Sequence, residues 1–157
     1  MDRKVRLMEP GDIAAVAELE KEVFSMPWSS QALRDSLKQN NYLFLVAEAG
    51  GQIIGYIGLY WVLDEADVTN VAVADRYRRQ GIAFALLTEM MYLVRKKGIV
   101  LVNLEVRAGN QAAISLYEKM GFYTVGRRKN FYEKPVEDGI LMQWKSKEPD
   151  CQQIPLN

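Results

Sequence analysis

The sequence predicts a mixed α/β fold: a central sheet of about seven strands flanked by about four helices. Three observations predict it. The spacing of apolar residues switches along the chain between alternation and a helical period of 3.6. The segments so defined follow the order β-α-α-β-β-β-α-β-α-β-β. Pro-Gly, Gly-Gly and single glycines fall at the seams between them, where turns and helix ends want those residues.

Each element has its own justification. KVRLME alternates and reads as a strand, closed by Pro10-Gly11. Asp12 is a candidate N-cap for IAAVAELEKEVF, in which Val16, Leu19 and Val23 keep helical spacing. Pro27 ends that helix, and Ser29 or Ser30 can cap a second one through about Lys38. YLFLVAEA and QIIGYIGLYWVL form a hairpin about Gly50-Gly51, and EADVTNVAVA is a further strand rich in β-branched residues. Ala83, Leu86, Leu87, Met90 and Val94 then trace one helix face, ended at Gly98. IVLVNLEV is a continuous apolar run, as expected for a strand covered on both faces. Asn110 can cap a helix whose face is Ala113, Leu116, Tyr117 and Met120, with Gly121 at its end. Residues 122–146 suggest two last strands, the second being GILMQWKS.

A length of 157 residues suits one domain. It is expected to span residues 1–146, with 147–157 as a flexible C-terminal tail. Twenty Lys and Arg balance twenty Asp and Glu, which argues against broad nucleic-acid binding. The single cysteine, Cys151, cannot form an internal disulfide, which suits a reducing compartment. MDRKVRLMEPGD has no apolar signal core, and no run approaches the ~20 apolar residues of a membrane span. The expectation is a cytoplasmic protein, a monomer or weak dimer, acting away from membranes. The chain has no histidine. That removes Ser–His and Cys–His pairs and His-based metal sites, and no metal is expected. A general base must be Asp, Glu, Lys, Tyr or a water they position.

RYRRQGIAFALL, residues 76–87, crowds arginines at a helix entrance beside a glycine. The first N–H groups of a helix lack internal partners and sit at the positive end of its dipole. Small residues let an anion approach them. Neither a dinucleotide fingerprint nor a Walker loop is present. The stretch reads either as a phosphate cradle or as a solvated basic turn.

The same stretch carries a resemblance. R-x-x-G-x-A after V-A-V resembles the acyl-CoA signature Q/R-x-x-G-x-G/A of the GNAT superfamily of N-acetyltransferases. The resemblance implies a GNAT fold and acetyl-CoA as cofactor. It places the coenzyme pyrophosphate on the loop Arg78, Arg79, Gln80, Gly81, Ile82 and Ala83, and the pantetheine arm along Val71, Ala72 and Val73. LEVRAGNQAAISLYEKMGF resembles the family segment N-x-x-A-x-x-L-Y-x-x-x-G-F through Asn110, Ala113, Leu116, Tyr117, Gly121 and Phe122. MPWSS, LEVR and RRKNFYEKPVEDGILM look like the ribosomal-protein-alanine N-acetyltransferase branch, the RimI type. That branch implies acetylation of the N-terminal amine of a small-subunit ribosomal protein. Where the family often has proline before the arginine loop, this chain has Asp75, and its final small residue is Ala83.

Acetyl transfer to an amine needs a neutral amine, a donor to the developing oxyanion and a proton for the leaving thiolate. An α-amine, with a free pKa near ~8, needs only a modest base. Glu105 is the candidate base. As a lone acid in an apolar run its pKa should rise, and the resemblance gives the LEVR glutamate the same role. The bland reading is a carboxylate paired with Arg107 or Arg127. Tyr117 lies in an apolar stripe, where tyrosines are usually core; the resemblance makes it the donor to the leaving sulfur. It also implies a backbone N–H near Val73 as the oxyanion donor. Asn110 is a helix cap and, by resemblance, a pantetheine neighbour. Glu65 and Asp67, with Asp64, form either a solvated turn or a receptor for a cationic peptide terminus. By resemblance Trp28 and Tyr132 wall the peptide groove, although Trp28 reads equally as core or lid. The other readings are transfer to a lysine side chain or small amine, and a non-catalytic acyl-CoA sensor.

Overall fold

The computed structural model describes residues 2–147; the tail from residue 148, with Cys151, lies outside the described residues. The chain runs β1 (Arg3–Leu7), α1 (Ile13–Val23), α2 (Ser30–Leu37), β2 (Tyr42–Ala49), β3 (Gln52–Val62), β4 (Glu65–Val73), α3 (Ile82–Lys96), β5 (Leu101–Arg107), α4 (Gln111–Lys119), β6 (Tyr123–Tyr132) and β7 (Glu137–Lys145). The strands form one mixed sheet in the order β1-β2-β3-β4-β5-β7-β6. β4 and β5 pair in parallel over Glu65–Asp67 and Leu101–Asn103. The β1/β2, β2/β3, β5/β7 and β6/β7 pairs are antiparallel. The element order is the expected one, with short 3-10 turns added at Pro10–Asp12 and Asp75–Tyr77. Two compact units divide the chain: residues up to Trp61 with Val68–Met91, and Val62–Asp67 with the chain from Tyr92.

In the first unit, α1 and α2 bury Ile13, Val16, Ala17, Leu19 and Leu33 with Phe44, Val46 and Tyr56 of the strands. Ser29 caps α2 as expected, its Oγ accepting from Ala32 N at 3.1 Å. Asp12 does not cap α1 with its side chain. Its carboxylate instead accepts from both Nη atoms of Arg6 and from Glu9 N, because the Pro10–Asp12 turn leaves it beside β1. Gly55 permits close packing of α3: an added Cβ would lie 3.0 Å from Ala72 O, 3.1 Å from Ile82 and 3.3 Å from Leu86. Gly58 is tighter still, since a Cβ would strike Thr69 Oγ1 and come within 2.8 Å of Phe44.

In the second unit, Val102, Leu104 and Val106 of β5 are buried, as are Ile140, Met142 and Trp144 of β7 and Tyr117 and Phe122. The Arg95 guanidinium sits 5.6 Å from the Trp144 ring. β5 corrects the expectation of a strand covered on both faces. Leu101, Asn103, Glu105 and Arg107 alternate with the buried residues and stand on a more open face. The run looked doubly buried because its open face includes Leu101 among polar side chains. β6 is largely exposed and pairs with β7 through two register shifts, Thr124/Gly126 and Arg128/Tyr132.

Two tests address this frame. Gly58→Val should destabilise by about 1–3 kcal/mol in urea unfolding, the usual range for overpacking a tight site. Asp12 is held below its ordinary value of 3.8, chiefly by the Arg6 hydrogen bonds. A depressed carboxyl stabilises the fold above its unfolded pKa, and that contribution is lost as pH falls through the folded value. Asp12→Asn should therefore cost about 1–2 kcal/mol at pH 7, with the difference from wild type shrinking below pH 4.

Candidate active site

The helix entrance is built as a cradle. Arg79 (φ 64°) and Gly81 (φ 81°) take left-handed backbone conformations, which turn the chain sharply into α3. Ile82 is buried and anchors the first turn. Among the described residues, the amides of Arg79, Gln80, Gly81, Ile82 and Ala83 donate to no backbone or side-chain acceptor. An added Cβ at Gly81 would meet nothing within 4 Å, so the space beside these amides is open. Arg3 of β1 pins the loop from behind, reaching Gln80 O at 2.6 Å and Gln80 Oε1 at 2.7 Å. Arg78 pairs with Asp75 at 3.1 Å, and Arg76 bonds Gln52 and lies over the Tyr77 ring. Arg79 is exposed and makes no ion pair among the described residues. The free amides and open space fit a pyrophosphate held at a helix N-terminus. Ala72, on the strand leading to the loop, is buried, while Val71 and Val73 are partly exposed.

In the same unit Trp28 is half-buried and packs against the α1–α2 core. Its main-chain N–H donates to Glu20 Oε1 at 2.8 Å. Glu20 is fully buried. Its other oxygen accepts from the Tyr56 hydroxyl and, at 3.0 Å, from Asn70 Nδ2. Burial pushes the Glu20 carboxyl up, partly offset by these donors, and burial with the neighbouring Glu20 raises Tyr56.

The second unit brings together Glu105, Tyr117, Tyr132, Glu65 and Asp67. Glu105 is exposed on the open face of β5. Its ion-pair partner is Arg128, at 3.6 Å, and not Arg107 or Arg127 as the bland reading had it. Arg107 is committed to Glu137 and Arg127 to Asp138. On the same face Asn103 Nδ2 bridges Glu65 and Asp67 at 3.3 and 3.2 Å, and its oxygen accepts from Gln143. Asp64 contributes its main chain, its carbonyl accepting from Val100 N at 2.8 Å.

Tyr117 is buried by its ring, 5.9 Å from Phe122. Its hydroxyl makes no hydrogen bond among the described residues, yet it is not among the sealed, unpartnered polar atoms. Burial, with a smaller effect of Tyr132, pushes its pKa up to about 12. The phenol therefore stays protonated and free to donate. Tyr132 is also raised to about 12, first by burial and then by Glu105. It thus lies within electrostatic reach of both Glu105 and Tyr117. Asn110 Oδ1 caps α4 through Ala113 N at 3.2 Å.

The Acetyltransferase (GNAT) family model matches residues 13–122. This chain belongs to the GNAT acetyltransferase family. A Bacillus subtilis relative, a candidate ribosomal protein bS18-alanine N-acetyltransferase, is 37% identical over 88% of this chain and 92% of its own. The Escherichia coli K12 ribosomal protein bS18-alanine N-acetyltransferase is 36% identical over 84% of this chain and 87% of its own. The crystal structure of an Escherichia coli ribosomal-protein-S18-alanine N-acetyltransferase superposes with a TM-score of 0.86 at 33% identity, covering 92% of this chain and 94% of that one.

Sequence reasoning missed several residues that shape the sites of this acetyltransferase. Glu20 stands four residues after Val16, on the buried stripe of α1; a lone acid at that spacing was the signal. Arg107 organises the loop after β6. It donates to Pro135 O at 2.9 Å and Glu133 O at 3.0 Å, bonds Glu137 at 3.2 Å, and lies 4.6 Å from the Tyr132 ring centroid. Glu137 in turn accepts from Gly109 N at 2.6 Å. No local pattern announces a side chain that bonds main-chain carbonyls 26 to 28 residues away. Arg107→Met should loosen residues 133–136 and speed cleavage after Glu133 by a glutamyl endopeptidase several-fold. An unchanged cleavage rate would contradict this role.

Proposed function

We propose that this acetyltransferase moves an acetyl group from acetyl-CoA directly to the N-terminal amine of a protein, the N-terminal alanine of a small-subunit ribosomal protein. The reading is carried by the likeness, across nearly the whole chain, to relatives named for alanine N-acetylation of ribosomal protein bS18. The site chemistry agrees with it. Bound acetyl-CoA supplies the activated acyl group. The amides of Arg79 to Ala83 hold its pyrophosphate, with Arg78 and Arg79 adding charge, and the main chain of Val71–Val73 pairs with the pantetheine arm beside Asn110. A backbone N–H near Val73 donates to the developing oxyanion. Glu105 takes the proton of the attacking amine, directly or through water. Tyr117, protonated and unpartnered, donates to the departing sulfur. Glu65 and Asp67 attract the cationic peptide terminus, and Tyr132 and Trp28 flank it.

The proposal is tested with acetyl-CoA and two peptides, the products weighed by mass spectrometry. One has a free N-terminal alanine and no lysine; the other has a blocked N-terminus and one lysine. Acetylation of the first alone is expected, whereas acetylation of the lysine peptide alone would overturn the reading. On the alanine peptide, Glu105→Gln should lower kcat by about 100-fold with acetyl-CoA affinity intact, the low end of a general-base contribution. Gly81→Val should weaken acetyl-CoA binding, since a β-branched residue resists φ 81° and its side chain would occupy the open space at the amides.

A further inference from the structure

The α1–α2 core is lined with Val16, Leu19 and Leu33, and into it the chain places the fully buried carboxylate of Glu20. Stability alone does not call for one, because a well-packed apolar residue in place of a buried charge is often neutral or better. A buried carboxylate instead fixes whatever donates to it. Glu20 collects donors from three elements: Trp28 N in the connection between α1 and α2, the Tyr56 hydroxyl on β3, and Asn70 Nδ2 on β4.

Two features make the linkage directional. The connection has few anchors of its own. Pro27 has no N–H and Met26 is exposed, so besides the packing of Phe24 and Trp28 on the core the Trp28 amide is a principal main-chain hold on this stretch. At the other end, Asn70 immediately precedes Val71–Val73, and its Oδ1 is sealed from solvent without a partner. The Asn70 amide is therefore oriented by what its nitrogen reaches, which is Glu20. One side chain thus ties Trp28 to the strand assigned to the pantetheine arm.

Resting on the function proposed above, we infer that Glu20 is a positioning residue for the acceptor peptide: it holds the Phe24–Ser29 connection, with Trp28, in register with β4. The loop of Arg79 to Ala83 has separate anchors in Ile82 and Arg3.

The test compares wild type with Glu20→Gln, which keeps the size but turns one acceptor into a donor, and with Glu20→Leu, which removes all three bonds. Acetyl-CoA dissociation constants should stay within about twofold of wild type. The KM for an alanine-terminated peptide should rise about tenfold in both variants, the scale of one lost charged hydrogen bond, with a smaller change in kcat. Hydrogen exchange at the Trp28 amide should accelerate by a similar factor in Glu20→Gln. If wild type does not acetylate the peptide, the functional reading fails and takes the acceptor role with it. If wild type is active and peptide KM is unchanged in a folded Glu20→Gln, the inference alone fails. A parallel rise in the acetyl-CoA constant also overturns it, by showing a general structural role. An unchanged Trp28 exchange rate overturns the anchoring itself.

Discussion

The close approach of α3 to β3 at Gly55 is the constraint on which the open helix entrance depends. A helix offers its first amides to a ligand only if something else holds the helix in place. Here Ile82 and Leu86 seat against Gly55 and Ala72, and Arg3 secures the loop through Gln80. Burial on one side and the Arg3 guanidinium on the other hold the loop while the Arg79 to Ala83 amides stay without a cap of their own. In an ordinary helix an Asn, Asp, Ser or Thr side chain would satisfy these groups. The chain has glycine at that position.

The second unit meets a different demand with the same economy. The buried side of β5 needs only Val102, Leu104 and Val106. That leaves alternate positions for groups that must meet solvent: Asn103, Glu105 and Arg107. Strand periodicity thus supplies an amide bridge, an exposed carboxylate and a loop clamp in one row, each two residues from the next. Tyr117 complements the row, with its ring in the core and its hydroxyl free. Burial that keeps the phenol protonated and packing that supports its helix are the same contacts.

Much of this was legible in the sequence, and the reasons are physical. Helix and strand periods, Ser29 and Asn110 as caps and the glycine seams are local signals, so the element order could be read directly. The open, glycine-bearing entrance to α3 was legible because its residue types are adjacent. What escaped depends on contacts far apart in the chain. Asp12 looked like a cap because it precedes an amphipathic helix, yet Arg6 and Glu9 claim it. The β5 run looked doubly covered because composition does not reveal which face a helix occupies. Glu105 therefore emerged on an open face, paired with Arg128. Glu20 keeps the spacing of the buried stripe of α1, but the partners that give it a role stand on β3 and β4, far away in the chain.

Arg107 holds the loop after β6 by its carbonyl oxygens, at Glu133 and Pro135, and not by its side chains. Every residue type carries that carbonyl. The side chain of Glu133 is therefore no part of the grip that Arg107 has on the segment between Tyr132 and Glu137. The course of the segment is tied to one arginine through main-chain atoms, and that tie leaves the Glu133 carboxylate unspent.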